Sequence, residues 1–135
     1  MLFRSAPFSS VERVNFSNDF PTTSIRGPLV TARTALAATG NSKYGWFGGG
    51  ITPTATGTTI VERIDFSNDS ATASSRGPLT SSRYGLAATG NSNYGWFGGY
   101  YASGVIQRID FSNDSATASP RGSLDRKSTR LNSSH

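Results

Sequence analysis

Five arginines, Arg26, Arg33, Arg76, Arg83 and Arg121, recur around one connection of a repeated unit, and the adjacent Tyr100 and Tyr101 stand in a nearby link. A tyrosine ring offers a large contact surface with a polar tip, suited to stacking on a sugar or filling a partner's pocket. A guanidinium adds planar hydrogen bonds to polar or anionic groups. Tyr100, Tyr101, Arg83, Arg76 and Arg33 are therefore the candidate binding residues. The competing role for the arginines is structural: hydrogen bonding to loop carbonyls, or pairing with Asp65 and Asp110.

Catalytic chemistry finds little support. The chain has no cysteine and one histidine, His135, and its many serines have no base beside them. Asp19, Asp69 and Asp114 lie in Ser-Asn-Asp turns, but each turn offers too few oxygens for calcium. They are expected to form turns. No catalytic residue, metal or cofactor is assigned. Asn15, Asn68 and Asn113 begin Asn-X-Ser sequons, which repetition alone would multiply.

These residues belong to a repeat. Residues 11–49 and 61–99 share 27 of 39 positions without gaps, and residues 106–124 match 15 of 19 positions of residues 61–79. The offset is 50 between the first two copies and 45 between the next two. Periods of this size mark propellers and solenoids, whose units bury their faces only against a neighbour.

One repeat reads as four strands. Residues 83–90, RYGLAATG, suit a strand covered on both faces. A Gly-Asn turn follows, then the aromatic YGWFGG of residues 94–99, whose glycine pair allows close backbone approach. Residues 105–111, VIQRIDF, make a third strand, residues 112–115 an Asx-type hairpin turn, and a fourth strand begins over residues 116–119. No segment has a helical period, so the chain is read as all-β. Trp46, Trp96, Phe47, Phe97, Gly48, Gly49, Gly98, Gly99, Asp65 and Asp110 are the expected structural positions, with the indoles mostly buried between sheets and one at an open end partly uncovered.

The pattern resembles the kelch repeat: Arg83 before a small apolar strand, Tyr94 to Gly99 closing on Gly-Gly, and Ile109-Asp110-Phe111 ending the third strand. The family's tryptophan in the last strand is missing, with Ala73 or Ala118 in that region. The resemblance implies an incomplete kelch-like β-propeller of about two and a half four-stranded antiparallel blades. A partial blade would span residues 6–31, and further blades 32–81 and 82–124. The wording of the repeat is also similar to arrays in marine phage and environmental proteins. That implies a non-enzymatic binding or structural module of a virion fibre or cell surface, facing a protein or glycan. The alternatives are a propeller domain of a larger carbohydrate-active enzyme and an intracellular kelch-type adaptor.

The ends depart from the repeat. Residues 125–135, DRKSTRLNSSH, resemble a translated sequencing adapter, and residues 2–5, LFRS, resemble the opposite one. Both are excluded from fold reasoning, and the remaining blades are expected to be missing. The formal charge of +5 then shrinks: without these ends nine basic and seven acidic residues leave +2. Nucleic acid is accordingly not expected as a partner. No run of about 18 apolar residues would span a membrane.

Between the second and third strands the copies diverge. One has GITPTATGTT over residues 50–59, the other YYASG over residues 100–104. A loop that varies on a constant scaffold is where recognition concentrates, and tolerated drift is the plain alternative.

Overall fold

The computed structural model describes residues 7–99 and 104–124. The adapter-like ends lie outside the described residues. The chain is all-β, with three antiparallel sheets and no α-helix among the described residues. Strands β1 (Val11–Arg13) and β2 (Ser24–Arg26) form a two-stranded sheet. β3 (Ala37–Gly40), β4 (Tyr44–Gly48), β5 (Val61–Asp65) and β6 (Ser74–Ser75) follow as a meander in chain order. β7 (Leu86–Gly90), β8 (Tyr94–Gly99), β9 (Val105–Asp110) and β10 (Ser119–Ser123) repeat it. The register repeats too: Trp46 stands opposite Arg63 and Thr39, and Trp96 opposite Arg108 and Thr89.

Several boundaries correct the expectation. The first strand begins at Leu86 rather than Arg83, because Gly85 takes φ +64 and turns the chain. Arg83 instead makes an isolated bridge to Thr58 of the neighbouring link. β9 stops at Asp110, and Phe111 to Asn113 form a 3-10 turn. The Asx acceptor is Asp110, which takes the Ser112 N–H at 2.9 Å and hydroxyl at 2.7 Å; Asp65 does the same for Ser67. The Ser-Asn-Asp residues do not cap their own turn through Asp69 or Asp114. β10 accordingly starts at Ser119, and β2 is confined to Ser24–Arg26.

The sheets share cores. Leu29, Ile64 and Ala73 join the first to the second, and Trp46, Val61, Leu79, Phe97, Ile109 and Ala118 join the second to the third. Close packing explains two glycines. A Cβ on Gly48 would lie 2.9 Å from the Phe97 ring, and one on Gly77 only 1.9 Å from the Ala116 carbonyl oxygen. Trp46 is fully buried, whereas Trp96 is only half-buried, because no described sheet follows the third. One indole is thus fully covered and the other, on the outer face of the third sheet, partly uncovered.

A second joint between the sheets is polar. Asp114, 5% exposed, leaves its own turn and enters the preceding sheet. It accepts the Trp46 indole N–H at 2.8 Å, Arg63 Nη1 at 3.0 Å and Arg76 Nη2 at 2.7 Å. Its backbone carbonyl takes the Gly77 N–H at 2.7 Å, and the Trp46 ring lies flat on Phe111, centroids 3.9 Å apart. Asp69 repeats the arrangement one sheet earlier, accepting Arg13 at 3.0 Å, Arg26 at 2.6 Å and the Gly27 N–H at its carbonyl. Burial pushes the Asp114 carboxyl up, but Arg76, Trp46 and Arg63 together outweigh it and hold the group below the ordinary aspartate value. The Arg26 hydrogen bond leads the same lowering at Asp69.

Ala35 occupies the place of Gly85 and is forced to φ +59, a left-handed conformation that costs an L-residue about 1–2 kcal/mol. Ala35→Gly is expected to raise stability in urea by roughly 0.5–1 kcal/mol, once glycine's larger unfolded-state entropy is subtracted. Gly85→Ala should lower it by a similar amount. A Cβ there meets nothing within 4 Å, so any loss reports conformation alone.

Lowered carboxyl values also fix a pH response. Such groups contribute stability that is fully present above their unfolded value and is lost as pH falls through the folded one. The melting temperature should hold down to about pH 5 and drop below about pH 4. Asp114→Asn should lower it at neutral pH and flatten the acid limb in calorimetry. An acid limb of unchanged slope would contradict the carboxylate's role.

Candidate functional site

The varied link of the second sheet is built on a fixed frame. Gly49 at φ +72 and Gly50 at φ +108 turn the chain out of β4. A Cβ at Gly50 would lie 2.8 Å from the Thr34 carbonyl oxygen, so the second glycine is required by close approach as well. Ile51 then exchanges backbone hydrogen bonds with Thr34, at 2.7 and 3.0 Å. On the other side Gly50 N–H donates to the Arg83 carbonyl at 2.7 Å, and the Arg83 N–H donates to Thr58 at 3.2 Å. The link is thus stitched to the connection before its sheet and to the one after it.

Between these seams the tip is free of charge and carries hydroxyls. Ala55 at φ +64 closes a turn whose N–H bonds the Thr52 carbonyl at 2.8 Å. The three hydroxyls of Thr52, Thr54 and Thr56 approach one another at 2.9 to 3.0 Å. Residues 53–56 are exposed.

The candidate arginines sit beneath this surface. Arg33, 2% exposed, donates from Nη1 to the carbonyls of Gly49 at 2.7 Å and Ile60 at 2.9 Å, the residues that bracket the link. Arg83, also 2% exposed, donates to the Gly99 carbonyl at 2.8 Å, at the mouth of the next link. Arg76 is held by Asp114. Tyr100 and Tyr101 lie outside the described residues. The structure therefore brings Arg33 and Arg83 to the link through its base, with their guanidiniums turned inward, and gives Arg76 to the joint between sheets.

Sequence reasoning missed Glu62. Its carboxylate, fully buried, accepts the N–H groups of Val30 at 2.6 Å and Thr31 at 3.1 Å and stands 3.6 Å from Arg33 Nη2. Burial pulls the Arg33 guanidinium below its ordinary value, and Glu62 opposes that pull. The third sheet has Gln107 there, bonding the Thr80 N–H and Ser81. The available signal was this Glu-to-Gln exchange inside an otherwise repeated strand. The partners of Asp69 and Asp114 were missed for a related reason: they lie one repeat away.

The opposite end of each four-stranded sheet carries a polar hollow. One of about 320 Å³ is lined by Asn41, Ser92, Asn93, Tyr94, Asp110, Phe111 and Ser112, and one of about 490 Å³ by Ser42, Lys43, Tyr44, Asp65, Phe66 and Ser67. Their carboxylates are already engaged by Ser112 and Ser67. Among the described residues no group of three or more His, Cys, Asp or Glu could hold a metal, and no helix is long and apolar enough to cross a membrane. No protein-family model matches the chain, and no curated protein matches it.

Glu62→Ala should cost roughly 3–5 kcal/mol in chemical denaturation, since it strands the buried Arg33 charge and two backbone N–H groups. Glu62→Gln should cost far less, because an amide fills the matching position of the third sheet, where Gln107 accepts the Thr80 N–H and donates to Ser81. Equal losses would show that the amide cannot replace the carboxylate in this setting.

Proposed function

We propose that the chain is a non-enzymatic recognition or structural module, part of a kelch-like β-propeller, in which the links between second and third strands face the partner. Two four-stranded meanders in chain order, preceded by a two-stranded sheet that joins them through shared cores, support the propeller reading. The observation that carries the functional reading is the link of residues 50–59. Its base is fixed by backbone bonds to Thr34 and Arg83 and by the Arg33 brace, while its uncharged, hydroxyl-lined tip stands exposed. A rigid base under a variable tip lowers the ordering cost of binding. Paired hydroxyls with no net charge suit a neutral glycan, and a virion or cell-surface fibre is the setting that the repeat's wording implies. Tyr100 and Tyr101, in the corresponding link of the next repeat, would add stacking surface.

A glycan array probed with the full chain tests this. Binding to a restricted set of neutral glycans is expected. It should be lost when Thr52, Thr54 and Thr56 are replaced together by alanine, and weakened by Thr54→Ala or Thr56→Ala alone. A chain that binds no glycan, or whose binding survives the replacement, overturns the reading.

A further inference from the structure

The joint between sheets is made twice among the described residues, and the outward faces of the first and third sheets each present one unmatched half of it. At the front, Phe16 and Asp19 occupy the positions of Phe111 and Asp114. Phe16 is 92% exposed and Asp19 is exposed. At the back, Trp96, Arg108 and Arg121 occupy the positions of Trp46, Arg63 and Arg76. Among the described residues no carboxylate lies within ion-pair reach of Arg108 or Arg121.

The back half is already shaped. Arg108 lies over the Tyr94 ring at 4.2 Å, the same pose and distance as Arg63 over Tyr44. Beside it is an apolar hollow of about 370 Å³, lined by Ala87, Trp96, Gly98, Ile106 and Leu124 among others. The matching face of the second sheet is filled by the third: Leu79 is 2% exposed where Leu124 is 46% exposed.

We propose that this face docks the Phe16–Asp19 turn of a second copy of the chain, head to tail. Phe16 of the incoming copy stacks on Trp96, and the Asp19 carboxylate enters between the Trp96 indole N–H, Arg108 and Arg121. Both charge and shape complement, and the pairing copies one that the chain makes internally with Asp114. One contact of the internal joint is absent: Phe20 stands where Ser115 accepts an Arg76 hydrogen bond. Because the two surfaces differ, the interface is heterologous and leaves a free half on each outer copy. This inference is independent of the glycan reading.

Sedimentation velocity of the full chain over a concentration series up to about 1 mM is the test. The wild type should pass from monomer to larger species, less readily at high salt. Asp19→Asn and Phe16→Ala alter exposed residues, so folding is retained, and each should weaken association by about tenfold or more. Lys43→Ala, on another surface, should leave it unchanged. A wild type that stays monomeric throughout overturns the proposal, as does association that both front-end substitutions leave intact.

Discussion

Asp114 is a carboxylate that belongs to one sheet by sequence and to the previous one by bonding. Removing it from water carries a desolvation cost that no single ion pair reliably offsets. Here three donors, an indole and two guanidiniums, converge on the carboxylate while its own carbonyl holds Gly77. The donors come from β4, β5 and the residue just beyond β6, so one acid fixes three parts of the neighbouring sheet at once. Apolar packing between Trp46, Phe97 and Leu79 supplies driving force, but such contacts tolerate sliding. The directed bonds on Asp114 set the register in which that packing occurs.

This division of labour explains what could be read from the sequence. Aromatic content and glycine pairs located β4 and β8, because those signals act within a few residues. Trp46 and Trp96 were placed on the correct strands by the same local logic. Their burial differs, however, because burial is supplied by the next repeat and not by their own. Asp69 and Asp114 show the same limit. In a single repeat a Ser-Asn-Asp triplet has the composition of a turn, and nothing local separates a capping aspartate from one that leaves the turn. Asp65 and Asp110 in fact do the capping. The arginines follow suit. Their recurrence was visible, but Arg33 grips loop carbonyls while Arg76 crosses to the next repeat, and only the three-dimensional stacking separates the two roles.

Differences between near-identical copies carry the remaining information. Glu62 and Gln107 occupy the same position with and without a charge: the carboxylate accepts two backbone N–H groups, whereas the amide accepts one and donates to the Ser81 hydroxyl. Ala35 and Gly85 meet the same left-handed turn, one under strain and one freely. Both exchanges leave the backbone frame unchanged, so the frame is overdetermined. The link of residues 50–59 varies in length and chemistry on top of it, and its two seams use backbone groups only. Main-chain seams hold this link without using its side chains, which leaves the chemistry of its tip free to vary.

A stack held by such joints has no natural end. Each unit gains stability from its neighbours and little from distant ones. The outward faces of the first and third described sheets retain the bonding capacity that the faces between sheets have used. At the front this leaves a solvated aspartate beside an exposed phenylalanine, which costs little while water covers the charge. At the back it leaves a half-buried indole, two guanidiniums and an apolar hollow, a surface that gains by being covered. The asymmetry gives the stack a direction. The solvated aspartate is presented by the first sheet, and the half-buried indole with its two guanidiniums by the third. Front to back is the one pairing in which charge, stacking and shape all agree.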